Sequence, residues 1–158
     1  MDKKILCAGL AVADIIVRPV DESVFRLPAE VESPRVGPGG DALNQAVVLT
    51  RLGMDCALSA FLGNDFWGDF LADVMRREGI GTDLVRRLDG HATTTCVILI
   101  DPTGERHFLT SRDATEAYAL DPCDALDQYD IISIASLWGL SGLTVEHIHR
   151  LSRYTREK

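Results

Sequence analysis

Residues 5–13 form an unbroken uncharged run, and isoleucine, leucine, cysteine and valine occupy its odd and even positions alike. A strand that is apolar on both faces must be covered on both faces, which is the setting of a parallel sheet between helices. Residues 4–12 are therefore predicted as one buried parallel-type strand. The run also imitates a signal segment, with Lys3-Lys4 ahead of it and Ala11-Val12-Ala13 as an A-x-A end. It is short for such a segment, Asp2 spoils the positive start, and apolar residues resume at Ile15-Ile16-Val17, so the strand is the expectation.

The remaining pattern extends this architecture. Residues 41–52 follow helical spacing with Ala42, Ala46, Leu49 and Leu52 on one face and Gly53 as a stop. Residues 56–62 read as a second strand. Residues 66–77 read as a helix with Phe66, Phe70, Val74 and Arg77 spaced by about one turn, ended by Gly79. Residues 84–88 and 93–100 are strand-like with no helix between them. Asp101-Pro102-Thr103-Gly104 fits a type I turn, with residues 106–110 returning as an antiparallel partner. A further parallel strand over 130–136 and a helix over 144–156 complete an α/β order with a small β appendage. Three or so parallel strands leave an open edge near residues 131–134, where such sheets usually continue.

Composition narrows the chemistry. At 158 residues and 46% hydrophobic, the chain can build one real core. Its net charge of −8 argues against nucleic acid and anionic membrane as partners. Thirteen of its sixteen basic residues are arginine, and the lysines Lys3, Lys4 and Lys158 all sit at the ends. No GK dipeptide occurs, so a Walker-type phosphate loop is excluded, and a Schiff-base lysine has no candidate inside the fold. Cys7, Cys56, Cys96 and Cys123 lie too far apart for a zinc knuckle or a disulfide framework, and the strand cysteines are expected as small core residues. His147 and His149, two apart on a helix, make a poor metal pair. Gly139-Leu140-Ser141-Gly142 is not a nucleophile elbow. Arg150, Arg153 and Arg156 read as a solvated helix face.

The densest functional signal is Gly37-Pro38-Gly39-Gly40-Asp41-Ala42-Leu43-Asn44. Glycines ahead of a helix let a ligand approach the backbone and meet the free amides of the first turn. Asp41 suits the helix dipole and is a candidate cap. The bland reading is a loop with an N-cap. A third reading takes Gly37, Gly39 and Ala42 as a dinucleotide fingerprint with Asp65 beyond it. That fingerprint should follow a buried strand, and Glu32-Ser33-Pro34-Arg35 is not one.

These residues resemble the first signature of the pfkB, or ribokinase-like, carbohydrate kinases: Gly39 to Ala46, six residues, Gly53, nine residues, Gly63. Gly9 with Asp14, Gly63-Asn64-Asp65-Phe66-Trp67-Gly68, Glu78-Gly79-Ile80-Gly81-Thr82, and Thr94-Thr95 with the Asp101–Arg106 hairpin resemble further family motifs. The resemblance covers essentially residues 1–158. It implies an α/β fold, a ribokinase-like parallel sheet flanked by helices, with a small β-sheet lid over approximately 15–36 and 84–110. It also implies phosphotransfer from ATP with Mg2+ to a sugar hydroxyl, in the cytoplasm, with a possible homodimer through lid strands. Carried over, Asp14 and Asn44 would bind sugar hydroxyls, and Gly39 and Gly40 would present backbone to the sugar. Asp41 stands where ribokinase-like members often carry lysine, a departure that weakens the implication of ribose itself. The family's second signature, D-T-x-G-A-G-D, supplies the catalytic base and anion hole and has no counterpart here. The expectation is a sugar-binding half, incomplete relative to the family and inactive alone, with no catalytic residue and ATP binding doubtful. A non-catalytic sugar-binding or regulatory module and a dinucleotide-binding protein are the alternatives.

Overall fold

The structure is a computed structural model that describes residues 3–156. In chain order its elements are β1 (Lys4–Ala8), β2 (Val12–Val17), β3 (Arg35–Gly39), α1 (Asp41–Arg51), β4 (Asp55–Gly63) and α2 (Phe66–Glu78). These are followed by β5 (Gly81–Leu88), β6 (Thr95–Ile100), β7 (Arg106–Ser111), the single turn α3 (Asp113–Glu116), β8 (Ile131–Ile134) and α4 (Val145–Arg156). A parallel sheet has the order β5-β4-β1-β8, and a second sheet the order β3-β2-β6-β7. In the second sheet β2 and β6 run parallel, while β3 and β7 pair antiparallel on its two edges.

The strand predicted over 4–12 is two strands in two sheets. Gly9 breaks it at φ +143°, and a Cβ there would stand 2.6 Å from the Ala135 carbonyl oxygen. The chain leaves the parallel sheet at that point, which only glycine permits at so close an approach. On the sheet side, Leu6, Cys7 and Ala8 are fully buried, as the run of apolar residues requires. Cys56 and Cys96 are buried as well, all four thiols are free, and Cys123 is exposed.

Both long helices form as expected, with shifted faces. α1 buries Ala42, Leu43 and Ala46, whereas Leu52 is 74% exposed because the helix has already ended. α2 buries Gly68, Leu71, Val74 and Met75. Phe66 is 72% exposed and stacks edge-on against Trp67, which does the same against Phe70. Phe66 thus stays at the surface at the start of α2, while Phe70 packs with the aliphatic stripe against the core.

Residues 84–88, expected in the lid, belong to the parallel sheet. Gly79 ends α2 in the left-handed region at φ +76°, and Gly81 lets β5 come back close against Ala57 of β4. That return is a parallel crossover, so the appendage begins at Thr95 and not at Leu84. At its other end the second sheet takes in Val12–Val17 and Arg35–Gly39, wider than the expected 15–36. β8 forms the free edge of the parallel sheet, with Ile131 exposed.

Candidate functional site

β2 and β3 bring the first candidate residues together. Asp14 pairs with Gly37, and Val12 with Gly39. Alternation along the strand puts Asp14 on the face of Val12 and Ile16, and across β6 on that of Cys96 and Ile98. A Cβ on Gly39 would stand 2.5 Å from the Asp14 Cγ, so the carboxylate lies directly over the Gly39 backbone. Asp14 is half-buried, and burial raises its carboxyl above the ordinary carboxylate range. Among the described residues no donor is recorded against its carboxylate.

Gly40 opens α1. It sits at φ +88°, and a Cβ there would be 2.5 Å from the Leu10 carbonyl oxygen. That same oxygen accepts from the Leu43 amide at 3.2 Å, and the Gly40 carbonyl accepts from the Asn44 amide at 2.9 Å. The amides of Asp41 and Ala42, in the first turn, have no acceptor within the helix. Asp41 does not cap α1; Gly40 takes that position without a side-chain bond. The Asp41 carboxylate instead accepts a hydrogen bond from the Ser136 hydroxyl. Asn44 lies three residues along, on the same exposed face as Asp41. Asp14, Gly39 and Gly40 are thus adjoining, while among the described residues no hydrogen bond joins the Asn44 side chain to them.

Ser136 and Arg112 carry no local signal in the sequence. Ser136 holds the left-handed conformation at φ +56° just beyond β8. Arg112 lies between β7 and α3, with its Nη1 3.7 Å from where a Cβ on Gly139 would stand; Leu10 and Ser136 flank the same spot. No carboxylate among the described residues is recorded as its partner. A free guanidinium therefore stands near the Asp41–Ser136 pair.

Gly63, Asp65 and Gly68, expected as family motif positions, have a structural task. Asp65 caps α2, with Oδ1 accepting from the Gly68 amide at 2.8 Å. It also accepts from Thr93: Oδ1 from the hydroxyl and Oδ2 from the amide, both at 2.7 Å. Burial alone would push the Asp65 carboxyl up. The Thr93 amide and hydroxyl, the Gly68 amide and the Arg87 charge together hold it below the usual range. Cβ atoms on Gly63 and Gly68 would stand 2.8 Å from the Thr93 amide nitrogen and 2.9 Å from its hydroxyl, so both glycines leave room for the chain before β6.

The described residues place no cluster of three cation-ligating side chains at the Asp14 corner. The one recorded cluster that could hold a cation among them, Asp101, Glu105 and His107, lies at the tip of the β6–β7 hairpin. His107 pairs with Leu99, on the opposite face from Asp14. A cavity of about 460 Å³ lies on that same far side, between Phe25, Leu99 and Leu109. The dinucleotide reading fails on topology, because Gly37 and Gly39 lie in an antiparallel edge strand and not at the end of a parallel one.

The pfkB family carbohydrate kinase profile matches residues 2–157. The chain is 34% identical over 145 residues to 2-dehydro-3-deoxygluconokinase of Dickeya dadantii, covering 85% of this chain and 45% of that one. It is 31% identical over 111 residues to fructokinase-2 of Solanum habrochaites, covering 69% and 33%. Among solved structures, fructokinase from Xylella fastidiosa superimposes at TM-score 0.61 with 28% identity, covering 81% and 38%. Ribokinase from Giardia lamblia superimposes at TM-score 0.79 with 17% identity, covering 98% of this chain and 50% of that one. The chain therefore spans a third to a half of the length of these relatives.

Proposed function

The chain belongs to the pfkB family of carbohydrate kinases, and we propose that it forms the acceptor-binding half of such an enzyme. In this reading Asp14 accepts hydrogen bonds from sugar hydroxyls. Gly39 and Gly40 let the sugar lie against main chain, and Asp41 and Asn44 complete the polar rim from α1. The observation that carries the reading is the Asp14 carboxylate, half-buried over Gly39 with no recorded donor from the protein. A partly desolvated acceptor is costly unless a partner supplies donors, and a polyol supplies several.

Phosphoryl transfer needs a base, an anion hole and charge stabilisation around the transferred group. Those elements, with ATP and Mg2+, are assigned to polypeptide beyond these residues, and the 158 residues alone are expected to be silent in catalysis. A keto or aldonic sugar acid is favoured as the acceptor by Arg112, since a guanidinium binds a carboxylate through paired hydrogen bonds. The similarity to a 2-dehydro-3-deoxygluconokinase agrees with that choice. A homodimer through the second sheet is consistent with Val36, Phe108 and Leu109 exposed on it. A cytoplasmic setting is consistent with the free buried thiols; among the described residues no helix is long and apolar enough to cross a membrane.

Titration calorimetry with 2-dehydro-3-deoxygluconate, fructose, ribose and NADH tests this. Heat with a sugar that disappears in Asp14→Ala supports the reading. Binding of NADH alone, or sugar binding indifferent to Asp14, overturns it.

A further inference from the structure

The chain just ahead of β6 is gripped from two sides. On one side stand Asp65 and Gly63: the Thr93 amide and hydroxyl reach the Asp65 carboxylate, and the Gly63 amide donates to the Thr93 hydroxyl at 2.9 Å. On the other side stands α3, which directly follows β7. The Asp113 carboxylate bonds the Ala92 amide and the His91 Nδ1, both at 2.8 Å. The Ala114 amide donates to the Ala92 carbonyl at 3.0 Å, and the Thr94 and Thr115 hydroxyls lie 2.5 Å apart. The α3 contacts close the β6–β7 hairpin on itself. The Asp65 contacts join that hairpin to the helical body.

Thr93 and Thr94 are each 1% exposed, and the hydroxyls of both have partners. The knot leads straight to the candidate site. The Ala13 amide donates to the Thr94 carbonyl at 3.0 Å, and two residues beyond Thr94 the register pairs Cys96 with Asp14.

We infer that Asp65 is a positioning residue: besides capping α2, it fixes the second sheet against the parallel sheet and so sets where Asp14 stands over Gly39. This rests on the acceptor-binding role proposed above only for its effect on sugar; the mechanical part stands on the hydrogen bonds themselves. A cap alone would need one carboxylate oxygen. Here Oδ1 serves Gly68 while Oδ2 is given wholly to the Thr93 amide, 28 residues away in sequence.

That division allows a selective test. In Asp65→Asn the side-chain oxygen can still serve Gly68, and asparagine is as good a cap as aspartate, but its NH2 meets the Thr93 N–H as donor against donor. Hydrogen exchange on the 158-residue protein, read by segment without ligand, is expected to quicken about tenfold or more in β2 and β6. Exchange in β1, β4 and α2 is expected to stay as in the wild type. If exchange in β2 and β6 does not change, Asp65 is a helix cap and the proposal is wrong. Should Asp65→Asn unfold the protein, Thr93→Val, which removes only the hydroxyl, must show the same localised quickening or the proposal fails. Sugar affinity is read separately. A wild type that binds no sugar defeats the functional reading and leaves the exchange result standing, whereas localised exchange with unaltered sugar affinity in Asp65→Asn removes the positioning role.

Discussion

Gly39 and Asp14 occupy adjoining space, the carboxylate of one covering the Cα of the other so closely that no methyl fits between them. Gly39→Ala is therefore expected to rotate Asp14 away from its place. The displaced group is the end of a short side chain, so the fold should survive. Sugar affinity should fall about 10- to 100-fold, the loss of hydrogen bonds to a charged acceptor. Calorimetry with circular dichroism on the same sample reads both, and unaltered affinity would separate Gly39 from the site.

Gly40→Ala should behave differently. Its φ of +88° disfavours any side chain, and the obstacle is the Leu10 backbone, which cannot swing aside. A cost of about 1–3 kcal/mol in stability is expected, equivalent to a Tm lower by several degrees at about 2–4 °C per kcal/mol. A thermal melt equal to wild type would contradict the geometry.

The pH dependence of Asp14 has a definite sign. Burial raises its folded carboxyl above the unfolded value, so the folded state holds its proton to higher pH than the unfolded state does. Its contribution to stability therefore declines as pH rises from the ordinary carboxylate value through the raised one. Asp14→Asn should leave Tm at neutral pH unchanged or higher while weakening sugar binding about tenfold or more. In the wild type, sugar affinity should fall on acidification before ordinary surface carboxylates titrate. A lower Tm in Asp14→Asn at neutral pH would sink this account.

Thiol reactivity offers an independent check on the core. Burial, with Cys56 beside it, pushes the Cys7 thiol up to about 11, and burial raises that of Cys56 too. An aromatic disulfide reagent at pH 8 is expected to modify Cys123 rapidly and the other three only on unfolding. Rapid reaction of more than one thiol would mean a looser sheet than described.

The isolated 158 residues should release no ADP above background with any of the sugars tested. Turnover near the ordinary kinase range of about 1–100 per second would refute the assignment of catalysis to polypeptide beyond these residues.

How much of this was legible depends on whether the cause is local. The glycine bracket before α1 and the break at Gly9 leave marks in the sequence, because backbone conformation and close approach select glycine at single positions. On α2, Phe66 matches the helical period yet stays at the surface against Trp67, while Phe70 and Val74 pack inward; the period alone does not say that the first turn lies beyond the core. Residues 84–88 were assigned to the wrong sheet because strand propensity does not say which neighbour a strand will find; Gly79 and Gly81 decide that. The Asp65–Thr93 bonds and the placement of Arg112 and Ser136 arise from long-range packing, and no local pattern encodes them.

Only Gly9, Leu10 and Ala11 separate the innermost strand from the strand bearing Asp14. The proposed recognition group is thus an extension of the most protected part of the scaffold, and retuning it is expected to disturb that part. Adaptation toward new acceptors is expected to be freer at the rim, where Arg112, Leu137 and Trp138 are exposed, so libraries aimed at altered selectivity should randomise Arg112 and residues 136–138 while leaving the anchor untouched.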